Sequence, residues 1–214
     1  RIKFFFLIFI LGLQCTSPTR PLIIGHRGAK GHIAENTLPS ITKAMELGVD
    51  GIEIDIFLCK SGELVVFHDK KLDRLTNNHG YIESLEYDSI KKIRVLGGYK
   101  IPTILEVLKL IDGEVFLNIE LKGSGTAIPT HKILTPIIKQ KKWEADQFII
   151  SSFDWEELKN FYKLNQEVPI ALLTSDDPLD ALPLARELDA QAINPDFESL
   201  NKKNVKKIKA NVFI

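Results

Sequence analysis

Three observations predict an α/β fold of the (β/α)8 TIM-barrel type. Short apolar strands alternate with helix patterns from Pro21 onward. The later strands recur at intervals of about twenty residues, as parallel βα units require. No Gly-x-Gly-x-x-Gly follows any strand, which argues against an open dinucleotide-binding sheet. Seven parallel strands can be counted, so the expected barrel stops short of its last strand, which would follow Ile214. Residues 1–20 read as a leader, 21–214 as the barrel, and about 57–101 as a small cap inserted after the second strand.

The leader carries Arg1 and Lys3 before the apolar run Phe4–Leu13, then polar residues to Arg20. That order is the order of an export signal, and the run is too short to span a bilayer. Export to the periplasm or medium is the expectation, with Cys15 as a candidate lipid anchor despite Gly12 and Gln14 around it. Cys59 would stand alone in the mature chain, so no disulfide framework is expected.

Pro21–Ile24 reads as a buried first strand that delivers Gly25-His26-Arg27-Gly28 to its C-terminal end. Leu38, Ile41, Ala44 and Met45 follow at helical spacing, with Pro39 in the first turn and Gly48 as the stop. Gly51–Ile56 is the second strand. Only Lys60-Ser61-Gly62 then separates Leu58 from Glu63–Val66, far too little for a parallel crossover, so an antiparallel hairpin is predicted. It carries His68-Asp69 back towards Asp55, and turn-rich sequence continues to about Lys100. Thr103 and Glu106 form a capping box for the next helix, and Val115–Glu120 is the third strand. Pro136 interrupts the helix pattern after it. Phe148–Ile150 is the fourth strand, followed by a helix capped by Asp154 with Glu157 three residues on and Phe153 stapled onto Leu158. Strands at Pro169–Leu173, Ala190–Asn194 and Asn211–Ile214 complete the count, with helices opening near Asp177-Pro178 and Ser199.

Side chains alternate along a strand, so Glu53 and Asp55 share one face while Ile52, Ile54 and Ile56 take the other. Paired carboxylates repel unless a cation or a shared proton compensates them. In a barrel, function collects at the C-terminal ends of the strands. His26-Arg27, Glu53/Asp55 and Glu120/Lys122 all lie there, and the hairpin brings His68 over the second strand. Carboxylates without Cys or paired His ligands suit one hard divalent cation, Ca²⁺ or Mg²⁺. A guanidinium beside them matches a phosphate, and two histidines can act as base and acid at neutral pH. Cation, Arg and two His together are the parts for phosphodiester cleavage. Asp69 is expected to orient the hairpin or its histidine, and Glu35 and Asn36 either shape their loop or serve the site. Trp155 is expected to pack, and His32, His79 and His131 to lie in solvent without partners.

Lys and Arg number 28, as do Asp and Glu, so no charge footprint for nucleic acid or an anionic membrane exists. The Lys202–Lys209 basic run reads as the solvated face of a helix. The sequence does not specify an oligomeric state.

His26-Arg27-Gly28 with Glu35-Asn36-Thr37, Glu53-x-Asp55, Phe67-His68-Asp69 and Ile119-Glu120-x-Lys122 resembles the motif set of the glycerophosphodiester phosphodiesterase family. Ser152-Phe153-Asp154 and Asn194-Pro195 are similar to later family positions, and the resemblance runs from about Ile23 to Ile214. It implies a (β/α)8 barrel with a cap after the second strand. It implies His26 and His68 as the acid/base pair, Glu53, Asp55 and Glu120 on the divalent cation, Arg27 on the phosphate, and Lys122 close by. The implied substrate is a small glycerophosphodiester such as glycerophosphocholine, released as glycerol 3-phosphate and an alcohol. Attack on phosphorus by the glycerol's own 2-hydroxyl, through a cyclic intermediate, is one route open to it. A lysophospholipase D-like or phosphoinositide-cleaving relative is the nearer alternative. The scattered Leu72, Leu75, Tyr81, Leu85 and Tyr87 form no apolar stripe, which favours a water-soluble diester. A catalytically silent phosphate-ester binding protein on the same barrel would lack a histidine or a carboxylate of this set, and none is missing.

Overall fold

The structure is a computed structural model and describes residues 20–209. The leader through Thr19, with Cys15, and the strand expected at Asn211–Ile214 lie outside the described residues. No helix among the described residues is long and apolar enough to cross a membrane.

The strands β1 (Ile24–His26), β2 (Gly51–Leu58), β6 (Phe116–Leu121), β7 (Phe148–Ser152), β8 (Ile170–Thr174) and β9 (Ala192–Pro195) pair in that order, all parallel. Ile24 at one edge and Asn194 at the other line the same cavity, so the sheet is curled like part of a barrel. Helices α1 (Leu38–Glu46), α3 (Ile104–Ile111), α4 (Ala127–Lys139), α5 (Trp155–Leu164), α6 (Leu182–Glu187) and α7 (Lys202–Lys209) follow successive strands or the insert.

Strand alternation divides the layers. Ile52, Ile54 and Ile56 of β2 and Leu117, Ile119 and Leu121 of β6 join the apolar core with Ile41, Ala44, Ile104 and Val107 from the helices. Glu53, Asp55, Asn118 and Glu120 are left for the other face. Register places Glu53 beside Asn118 and Asp55 beside Glu120 on neighbouring strands. Gly51 at the start of β2 leaves room for the Phe116 ring, which a Cβ there would meet at 2.3 Å.

The hairpin is present: β3 (Leu64–Val66) pairs antiparallel with the end of β2. After it, α2 (Tyr87–Ile90) and the ribbon β4 (Arg94–Val95) and β5 (Tyr99–Lys100) enclose a second apolar cluster around Phe57, Phe67, Leu72, Ile82, Ile90 and Ile101. Leu72 and Leu75 point into that cluster and Leu85 and Tyr87 pack against it, while Tyr81 is exposed, so these five residues form no continuous apolar stripe.

Thr37 caps α1 by accepting from Ser40 N, a role not read from the sequence. Several local expectations hold. Pro39 lies in the first turn of α1, and Thr103 and Glu106 close their capping box. Others are corrected. The first strand begins at Ile24 and is not buried, since β1 is an edge of the described sheet and pairs only with β2. Helix α4 runs through Pro136, which falls in the last turn before Lys139. Asp154 caps α5 alone. Glu157 instead turns to the neighbouring helix and accepts from Gly125 N and Ala127 N, both at 2.8 Å, because the open N-terminus of α4 lies beside it. Phe153 is exposed rather than stapled onto Leu158, since the end of β7 aims it into the sheet's mouth. Trp155 packs as expected and donates its indole N–H to Leu173 O. His79 is exposed but pairs with Asp73, and His131 is half-buried beside Thr135.

Candidate active site

Every predicted site residue comes to one end of the curled sheet. Glu53, Asp55 and Glu120 each present a carboxylate oxygen within 4.8 Å of the others, and all are buried. Asp55 sits deepest, fully out of contact with solvent. Glu53 Oε1 and Asp55 Oδ1 have no hydrogen-bond partner. Buried anions without donors are costly, so burial raises both carboxyl groups, and each is raised further by neighbouring carboxylates. Glu53 stands well above the ordinary carboxylate range and Asp55 is pushed up to about 6. A hard divalent cation fits this set, since it would satisfy the orphaned oxygens and remove the repulsion together.

The turn after β1 packs against this cluster. Arg27 and Asn36 both adopt left-handed backbone, at φ 56° and 57°, which is uncommon for residues with a Cβ and here accompanies contacts to the acids. Arg27 N donates to Glu53 Oε2 at 2.8 Å, and Asn36 Nδ2 donates to Asp55 Oδ2 at 2.8 Å. Gly28 must be glycine, since a Cβ would fall 2.6 Å from Ser40 Oγ at its φ of +76°. The Arg27 guanidinium donates to Glu35 Oε1 at 2.8 Å and lies 3.4 Å from Asp55 Oδ2.

The two histidines approach from different segments. His26 Nε2 lies 3.7 Å from Glu53 Oε2. Burial lowers its pKa to about 4, with Lys30, Arg27 and His68 pushing the same way, so the ring is neutral at pH 7. His68 holds Asp69 through Nδ1 and meets Lys122 Nζ at 3.2 Å through Nε2. An ammonium only donates, so the ring in this geometry carries its proton on Nδ1 and accepts at Nε2. Lys122 also pairs with Glu120 Oε1 at 3.1 Å, so Glu120 is at once a partner of Lys122 along the strand and a member of the acidic cluster.

Arg74, absent from the sequence reading, links the two sides. It donates to Asp69 through Nε at 2.6 Å and Nη2 at 2.9 Å, and to Glu35 through Nη2 at 2.7 Å. Glu35 in turn holds Arg27, so one chain of charged hydrogen bonds runs from His68 to Arg27. In isolation Asp73-Arg74 is an ordinary charged pair in turn-rich sequence, and nothing marks it. As a positioning residue, Arg74→Gln is expected to lower kcat by about tenfold with little change in KM. It should also move a limb of the pH profile. A purely structural role would lower Tm and leave the profile in place.

A curled parallel α/β sheet that gathers buried acids, an arginine and two histidines at one end has the architecture and the groups of a barrel-type phosphodiester site. Comparison with known proteins narrows it. Residues 26–214 match the model of the glycerophosphoryl diester phosphodiesterase family. A glycerophosphodiester phosphodiesterase of Caldanaerobacter subterraneus subsp. tengcongensis is 34% identical, over 90% of this chain and 82% of its own length. One from Bacillus subtilis is 30% identical, over 91% of this chain and 75% of its own. Among solved structures, an Oleispira antarctica phosphodiesterase in complex with the product sn-glycerol-3-phosphate superposes with a TM-score of 0.81 at 29% identity, covering 90% of this chain and 82% of that one. A Parabacteroides distasonis glycerophosphodiester phosphodiesterase gives 0.72 at 25% identity, covering 90% and 81%. The chain belongs to the glycerophosphoryl diester phosphodiesterase family and is an enzyme of that class.

Proposed function

We propose that the chain hydrolyses small glycerophosphodiesters to glycerol 3-phosphate and an alcohol, with one divalent cation, Ca²⁺ or Mg²⁺, held by Glu53, Asp55 and Glu120. The observation that carries this reading is the buried carboxylate cluster with its unpartnered oxygens, set between two histidines. Such a cation supplies Lewis-acid polarisation of a phosphoryl oxygen. Arg27 and Lys122 flank the same place and contribute positive charge to the phosphate. His26, neutral at pH 7, accepts the proton of the attacking hydroxyl, either water or the glycerol 2-hydroxyl, whose cyclic phosphate a water then opens to glycerol 3-phosphate. The new O–P bond forms as the P–O bond to the alcohol breaks, and the departing alkoxide takes a proton from His68 in its imidazolium form, with Nδ1–H on Asp69 and Nε2–H turned from Lys122 to the leaving oxygen. Asp69 keeps that ring turned towards the mouth. The insert between Phe57 and Ile101 acts as a cap that chooses the alcohol. The relative with sn-glycerol-3-phosphate bound supports glycerol 3-phosphate as the common product.

Purified protein supplied with glycerophosphoglycerol should release glycerol 3-phosphate and glycerol in equal amounts, with no inorganic phosphate. Release of inorganic phosphate, or no turnover by a folded protein, would contradict the reading.

A further inference from the structure

The insert leaves a second cavity beside the acidic mouth, about 500 Å³ in volume, lined by Phe57, His68, Lys70, Lys71, Tyr81 and Lys122, with Asp69. Its charge is more than cleavage requires. Lys70 and Lys71 directly follow the His68-Asp69 pair, and their backbone is pinned: Ile82 N donates to Lys70 O, and Lys71 bridges Tyr81. Asp69, the acid in this wall, is already engaged by His68 and Arg74. Lys71 Nζ lies over the Tyr81 ring, 5.4 Å from its centre. The cavity therefore presents positive charge with its acid occupied, and its aromatic face is already taken by a cation.

Resting on the diesterase reading, we propose that this cavity receives the alcohol half of the diester and selects alcohols that carry negative charge, as a phosphate or a carboxylate. The glycerol half bears only hydroxyls, so the lysines can discriminate only through the alcohol. His68, the group assigned to the departing oxygen, stands in the same wall. An anionic alcohol gains Coulomb attraction to the lysines that line the cavity. A quaternary ammonium gains nothing here, because the ring face that would hold it is covered by Lys71. Glycerophosphocholine is accordingly a poor substrate.

The test compares kcat/KM on glycerophosphoglycerol phosphate, glycerophosphoglycerol and glycerophosphocholine. The first two share the same glycerol alcohol and differ by one phosphate, so their comparison reports the added charge. The anionic diester should exceed the choline diester by about tenfold or more at low ionic strength, with the ratio shrinking as salt rises. In the Lys70→Ala/Lys71→Ala variant the ratio should fall to within about twofold. Lys70→Glu/Lys71→Glu should invert the order. A wild-type ratio near one, or a preference that survives the double alanine substitution, overturns the proposal. Cleavage of none of the three by folded protein overturns the diesterase reading with it.

Discussion

Replacement of either histidine by alanine is expected to lower kcat/KM by roughly 10²- to 10⁴-fold, the range a positioned acid or base contributes. The assigned roles separate the two variants. If His68 protonates the leaving oxygen, a diester whose alcohol leaves without a proton, such as the 4-nitrophenyl ester of glycerol phosphate, should recover most of the loss in His68→Ala. His26→Ala should lose the same factor on both substrates, since its proton comes from the nucleophile. Equal recovery in both variants would contradict the assignment. The basis for the difference is visible in the site: His26 stands beside Glu53 at the mouth, lowered by partial desolvation and by the cations Lys30 and Arg27, while His68 is turned by Asp69 and faces the cavity of the insert.

Asp55→Asn is expected to trade activity for metal-free stability. Asp55 is raised from an ordinary 3.8 to about 6, chiefly by burial and then by Glu120. Its folded form therefore holds a proton that the unfolded chain releases between those values. Stability of the metal-free protein should fall as pH rises through that window, by on the order of 2–3 kcal/mol, and the loss is complete above about 6. A bound cation reverses that loss, so the Tm gain on adding Ca²⁺ or Mg²⁺ should be larger at pH 7.5 than at pH 5. Asn cannot ionise. In chelator at pH 7.5 the variant should melt above the wild type, show a flatter pH dependence, and turn over at least about 10³-fold more slowly. A variant that melts below the chelated wild type at pH 7.5 would mean that the buried charge is already compensated by the protein itself.

Much of this site was legible because strand periodicity and barrel topology act together. Once Gly51–Ile56 is a strand, Glu53 and Asp55 must share a face, and the parallel register then sets Glu120 beside Asp55. The hairpin was equally legible, since three residues cannot make a crossover. What the sequence did not disclose are contacts that cross between elements far apart in the chain. Glu157 looks like half of a capping box, yet it serves another helix, because the bare N-terminus of α4 offers it more donors. Phe153 looks like a staple, yet it lines the mouth. Arg74 gave no signal at all: its importance comes from bridging Asp69 to Glu35, 39 residues away in sequence, and only the folded insert brings them together.

The most direct test of the account follows glycerol 3-phosphate release from glycerophosphoglycerol by purified protein after EDTA treatment and removal of the chelator. The rate should be lost on chelation and return on adding back Ca²⁺ or Mg²⁺, with Tm rising over the same cation concentrations in the wild type and not in Asp55→Asn. Full activity after chelation would contradict the assignment of Glu53, Asp55 and Glu120 as the cation's ligands.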